Sequence, residues 1–269
     1  MTNRTLLISF ILLLLFFVRC DNEDSMDMTE TPLNKSTCLL TKYSVFSKTS
    51  SGTDSFSLTQ TFTFDYFDDM LFVLNNSLGF RNEYKYSNDL VTRITQLDDS
   101  TTEDLISEFV YDSENRIIRQ IHGSFDGNEY NLIFEAVYTY DNDLLVQTQL
   151  ENTDERYEFQ YNSSTNYISS ISKFDQNNRL LEIRTIDWDG KNNPFINLNV
   201  PAPGFDLLPT YYEQNILKIT VQKFDEDGNP IFNPINIDNE REIIYNDYDF
   251  PSQIEFGINR IVYEYIDCE

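Results

Sequence analysis

The chain has 269 residues, 40% hydrophobic and 14% aromatic, with 19 Lys plus Arg against 45 Asp plus Glu and a formal net charge of −26. That length holds one large β domain or two small ones. So acidic a surface repels a nucleic-acid backbone, which argues against nucleic acid as a partner.

At the N-terminus, Arg4 precedes Leu6 to Val18, thirteen residues that are apolar except Ser9. The run is short for a membrane span and has the length of the central region of an export signal. Cys20 follows it, and the arrangement resembles a bacterial lipoprotein signal, whose cysteine is acylated and becomes the first residue of the mature protein. Arg19 stands where such signals usually carry a small residue, and the competing reading is a plain secretory peptide with an incidental cysteine. Asp21, Glu23 and Asp24 resemble the tag that sends some lipoproteins of Gram-negative bacteria to the outer face of the outer membrane.

Residues 1–19 are thus expected to be a signal peptide. Their removal takes away two arginines and no acid, moving the charge from −26 to −28. A body this negative does not lie flat on an anionic surface, so membrane attachment is expected to come from the lipid. Residues 20–37 read as the acylated cysteine and a disordered acidic tether, polar, with Pro32 and no alternation. Fully extended, such a tether reaches on the order of 60 Å.

Residues 38–269 read as one all-β domain. With Cys20 given to the lipid, Cys38 and Cys268 remain, and in an exported protein two leftover thiols are most simply a disulfide; the alternative is two unpaired cysteines. Such a bridge requires the first and last strands to be close neighbours. Phe56, Leu58, Phe62, Phe64 and Tyr66 share one parity, which predicts an opening strand that buries one face. A recurring phrase follows: an aromatic, an Asp or Asn, a few turn-forming residues, then an apolar run. It reads Tyr84 to Leu97, Phe109 to Ile118, Tyr138 to Val146, Phe174 to Leu181 and Phe224 to Ile231. Tyr157, Phe159 and Tyr161 predict another aromatic strand, and Leu217 to Val221, Ile243 to Tyr245 and Ile261 to Tyr265 predict the last ones.

The spacings give the phrase its physical sense. Rings two apart, such as Phe109 and Tyr111 or Tyr138 and Tyr140, are expected on one face of a strand. The Asp or Asn ends the strand by bonding the backbone two residues on, and Asn115, Asn178 and Gly228 suit the left-handed backbone of hairpin turns. Asn largely replaces Gly in this role, with 27 Asn against 8 Gly. No apolar stripe of helical period lasts ten residues, so the expected fold is an antiparallel meander of hairpin units forming a curved sheet or open barrel, with little or no helix.

The phrase resembles the YD repeat of Rhs-type secreted proteins, Tyr-Asp, two free residues, Gly-Arg and an apolar strand. Tyr111-Asp112 with Asn115-Arg116 and Phe174-Asp175 with Asn178-Arg179 come closest, with Asn in place of Gly. The resemblance covers roughly residues 80 to 265. It implies a YD-repeat-like envelope lipoprotein, and it specifies fold far better than activity.

Residues 193–209 break the meander, because Pro194, Pro201, Pro203 and Pro209 remove ladder donors. A loop that plugs the core is expected. The competing reading is a ligand or partner site, for which Phe195 and Phe205 are candidates. Trp188 could stack on a sugar but is expected in the core.

Catalytic chemistry is poorly supplied. His122, the only histidine, is expected in a solvated turn before Gly123, so no His-based triad or His metal cluster is available. Forty-five acids offer many carboxylates, but nothing singles out the two a glycosidase needs. Asp225, Asp227 and Asn229 have the alternate spacing of a calcium loop. Asn236 stands where a bidentate Glu is wanted, so a hairpin turn is expected there and at Asp187 to Gly190.

No cofactor is called for. The expectation is a non-enzymatic outer-membrane or cell-surface lipoprotein acting as a structural or binding module. Its expected partners are the membrane, through the anchor, and an envelope protein or glycan. The alternatives are a glycan-binding accessory protein and a carboxylate-based glycoside hydrolase.

Overall fold

The computed structural model describes residues 38–48, 55–68, 70–99, 101, 103–198, 200–201, 208, 214–231, 234–236 and 241–268. The signal peptide, Cys20, the tether and Phe205 lie outside the described residues. Seventeen strands are present among the described residues: β1 Leu39–Lys48, β2 Phe56–Phe67, β3 Met70–Asn76, β4 Phe80–Ser87, β5 Leu90–Asp98, β6 Asp104–Tyr111, β7 Ile117–Phe125, β8 Tyr130–Asp141 and β9 Leu144–Leu150 make the first half. The second half is β10 Glu155–Tyr161, β11 Ile168–Phe174, β12 Leu180–Asn192, β13 Gln214–Lys223, β14 Ile235–Asn236, β15 Glu242–Tyr245, β16 Pro251–Phe256 and β17 Asn259–Ile266. One 3-10 turn at Ile196–Leu198 is the only helical element among the described residues.

Consecutive strands from β1 to β14 pair antiparallel, as do β15, β16 and β17, and β17 returns to pair with β1 over Leu39 to Ser47. The sheet therefore curls until its first and last strands meet. β14 pairs with β13 and β15 with β16, and no described ladder joins β14 to β15, so the curl does not close into a barrel among the described residues. Cys38 and Cys268 are joined by a disulfide with Cα atoms 4.2 Å apart. The rim of turns on that side is the disulfide end, and the opposite rim is the far end.

One continuous core lies inside the curl, from Leu40, Tyr43 and Phe64 through Phe109, Tyr138 and Phe159 to Ile261 and Tyr263. Alternation puts these side chains inward and the charged ones outward. In β2 the expected single apolar face holds only in part: Phe64 is buried, but Gln60 is buried too and Leu58 is exposed. A bulge in the β1–β2 ladder at Val45/Phe46 shifts the register there.

The aromatic before each turn at the disulfide end has a specific duty. β-Bulges immediately precede Tyr66, Tyr86, Tyr111, Tyr140, Tyr161 and Trp188. Each of these residues donates a hydrogen bond from its ring to a carbonyl on the strand before its own. The acceptors are Leu40, Leu71, Val91, Ile117, Leu145 and Ile168, at 2.7 to 2.9 Å. Tyr265 does the same to Pro251 at 2.8 Å.

The reason is that those neighbouring ladders stop short of the disulfide end. The β5–β6 ladder, for instance, runs only from Arg93 to Gln96. Beyond that point a carbonyl such as that of Val91 has no partner in the β5–β6 ladder, and the ring spans the gap. A buried carbonyl must be paired, so a polar tip is needed and Phe would not serve. Each such bond contributes about 1 kcal/mol net. Rings two apart therefore divide their roles, with Phe109 and Tyr138 in the core and Tyr111 and Tyr140 bridging to the previous hairpin.

The recurring phrase is not one structural repeat. Tyr111-Asp112 and Tyr140-Asp141 turn at the disulfide end, whereas Phe174-Asp175 and Phe224-Asp225, whose rings carry no hydroxyl, turn at the far end. What the phrases share is turn chemistry. The Oδ1 of Asp112, Asp175 and Asp225 each accepts two backbone N–H bonds, two and four residues on. Asn115 (φ +63°), Asn178 (φ +64°) and Gly228 (φ +81°) take the left-handed position. Arg116 binds back to Asp112 and reaches forward to Asp143, its guanidinium 4.9 Å from the Tyr140 ring centre, so it ties one turn to the next.

Candidate functional site

A connected polar cluster lies at the disulfide end, where β12, the segment after it and the β15–β16 turn meet. Asp189 is its hub. Its Oδ1 accepts from the backbone N–H of Lys191 (2.8 Å) and Asn215 (3.3 Å), and its Oδ2 accepts from Asn215 Nδ2 (3.0 Å) and the Tyr245 hydroxyl. Asn215 Nδ2 also donates to the Asn192 carbonyl at 2.8 Å. Lys191 pairs with Asp249, its Nζ 4.7 Å from the Tyr245 ring centre, and Asn192 Nδ2 donates to the Tyr248 carbonyl.

These bonds connect β12 to the β15–β16 turn, the side on which no described ladder closes the curl. The carboxylate of Asp189 is occupied by four donors. Burial, and then that carboxylate, push the Tyr245 hydroxyl well above its usual range, so it stays protonated and donating.

The segment after β12 enters the core. Asn193 Oδ1 accepts from Phe195 N–H at 2.9 Å, a turn that starts the 3-10 element, and Asn197 Nδ2 donates to the Cys38 carbonyl at 2.9 Å. Phe195 is 3% exposed and meets the rings of Tyr43 and Tyr263 edge-on at 5.8 and 6.3 Å, with Leu198, Val200 and Leu208 buried beside it. A cavity of about 20 Å³ remains beneath, lined by Asn193, Phe195, Asn215, Arg241, Phe256 and Tyr263. That is room for a water molecule.

Phe195 belongs to the plug, as the first of the two readings expected, and is no exposed binding surface. Trp188 is half-buried and gives its indole N–H to Ile168 O, with the Tyr167 ring 6.4 Å away. Asp187 to Gly190, expected as a hairpin turn, instead lies within β12, where bulges accommodate Gly190 at φ +75°. Asp225, Asp227 and Asn229 form the β13–β14 turn, with Asp225 accepting from the N–H groups of the other two, which hold its carboxyl below the usual range.

His122 is a correction. It stands in the middle of β7, 8% exposed, not in a solvated turn. Its Nδ1 is 2.8 Å from Ser107 Oγ and its ring packs against Phe134 at 5.0 Å. Beside it Gln120, 0% exposed, accepts from the Tyr138 hydroxyl at 2.9 Å. Gln120, His122 and Ser124 share one parity, and all three are buried on the interior face.

Burial pushes the imidazole down to about 4, against a hydrogen bond with the Ile106 backbone that works the other way. The folded value lies below the unfolded one, so the stability tied to neutral His122 is fully present above about pH 6.5 and is lost as pH falls toward 4. Urea unfolding at pH 7 and pH 4 should show about 3 kcal/mol more acid destabilisation in the wild-type chain than in His122→Gln. Equal losses in the two proteins would refute this.

No protein-family model and no curated protein matches the chain. Among solved structures it is similar to a porin-like protein from Bacteroides uniformis ATCC 8492, with 9% identity and a TM-score of 0.37 over 84% of this chain and 97% of that one.

Proposed function

We propose that the chain is a lipid-anchored protein of the bacterial outer membrane, of YD-repeat-like type, acting as a non-catalytic structural or binding module whose partner is an envelope protein or a glycan. The observation that carries this reading is the Cys38–Cys268 disulfide. Such bridges belong to exported proteins, which agrees with the signal-like run Leu6 to Val18 and with Cys20 as the acylated residue.

The bridge also brings the chain in and out at one point of one rim, so an anchor at Cys20 would hold the domain by that end and present the other. The non-catalytic reading is supported by how the notable polar groups are used. The hydroxyls of the turn tyrosines bond backbone carbonyls, Asp189 holds the strands together, and the one histidine is buried against Ser107.

Palmitate labelling of the expressing cells is the test. Label on the wild-type chain and its loss in Cys20→Ala are expected, and retained label would refute the anchor. Binding of the purified protein on a glycan array would assign the partner class to glycans.

A further inference from the structure

Exposed apolar side chains line one arc of the disulfide end. Phe67, 66% exposed, closes β2, and Phe72, 57% exposed, follows on β3. Ile266 ends β17 opposite Leu39, and Ile244 and Tyr248 stand on β15 and in the turn after it. These strands are neighbours in the order β15, β16, β17, β1, β2, β3. Five intervals of about 4.8 Å make an arc of about 24 Å.

Comparable apolar residues stand at the far end, among them Leu132 and Ile133 on β8. What distinguishes the arc is where the chain arrives. Cys38 opens β1 in its middle, and seventeen residues separate it from Cys20.

We propose that this arc is a membrane-docking edge: the side chains of Phe67, Phe72 and Ile266 enter the interfacial layer of the bilayer that holds Cys20. The inference rests on the lipoprotein reading above. Aromatic rings suit that layer, which accepts an apolar body beside a wet backbone. The tether keeps the rim close to the lipid, so a shallow insertion that would be too weak for a free protein is sustained. Around the arc Glu264 is paired with Lys42 and Asp249 with Lys191, while Asp65 and Asp247 add exposed negative charge. The edge therefore fits a zwitterionic surface and is repelled by an anionic one.

The test uses the full acylated protein in phosphatidylcholine vesicles containing a lipid with a photoactivatable acyl chain. Photolabel is expected between Phe67 and Phe72 and at Ile266, about tenfold above that at Leu132 and Ile133. It should fall several-fold when phosphatidylglycerol is added, and the Phe67→Ser/Phe72→Ser variant, changed only on the outer surface, should lose most of the label at Ile266.

Equal labelling of the two ends, or label confined to the Cys20 peptide, overturns the proposal. So does an unlabelled arc covered instead by residues 6–18 or by a second copy, as seen by protein crosslinking. A chain without acyl label at Cys20 fails the lipoprotein reading and this one with it; an acylated chain whose rim takes no photolabel fails this one alone.

Discussion

Replacing both Cys38 and Cys268 by serine is expected to leave the far-ultraviolet β signal in place at neutral pH while lowering the free energy of unfolding by on the order of 4 kcal/mol. The bridge closes a loop with a sequence separation of 230, so in the unfolded chain it removes the freedom of nearly the whole domain. In the folded chain it adds little that is not already present, because β1 and β17 are paired over eight positions without it. The effect therefore acts mainly through the unfolded state. Guanidinium titrations of the wild-type and double-serine proteins should show a lower midpoint and a steeper dependence on denaturant in the variant, whose unfolded chain is less compact. A difference below about 1 kcal/mol would show that the unfolded chain holds its ends together by other means.

Truncating Phe195 to alanine is the other change of that size, with an expected cost of about 3 to 5 kcal/mol. The ring is buried between Tyr43 on β1 and Tyr263 on β17, the paired first and last strands. Its removal leaves a hole that a close-packed interior fills poorly. The segment is then held by the side-chain bonds of Asn193 and Asn197 and by the burial of Leu198, Val200 and Leu208. Urea unfolding would give the free energy, and hydrogen exchange at residues 195–198 would locate it. A cost near zero together with unchanged exchange would mean that the segment merely covers the core without packing into it.

The class of the fold was legible in the chain because its causes are local. An aromatic followed by Asp or Asn, then by a residue tolerant of positive φ, makes a turn at most of its occurrences, Trp188-Asp189-Gly190 within β12 being the exception. Asn88-Asp89 and Asn142-Asp143 are two-residue turns with both φ values positive, and Asp112, Asp175 and Asp225 build the longer kind with the same pair of side-chain bonds. The break after β12 was legible for a similar reason, since Pro194 has no N–H to give a ladder.

The same local reading failed where the outcome depends on which strands meet. The phrases look equivalent in one dimension but fall on opposite rims, because the number of strands between them decides the end at which each turns. The alternation of Gln120, His122 and Ser124 is equally compatible with either face of β7, and a bulge or an extra strand inverts which face is wet.

The sequence by itself determined a β meander with aspartate and asparagine turns, an acidic surface and a pair of thiols at the two ends of one domain, because each follows from composition or from contacts a few residues apart. Only the tertiary structure decided that the sheet curls until β17 meets β1, that tyrosine hydroxyls replace the ladder where it stops short, that Asp189 joins β12 to the β15–β16 turn, and that histidine is buried. Those outcomes rest on partners up to some 230 positions away, and the bulges that set which side chain meets which partner leave no periodic mark in the chain.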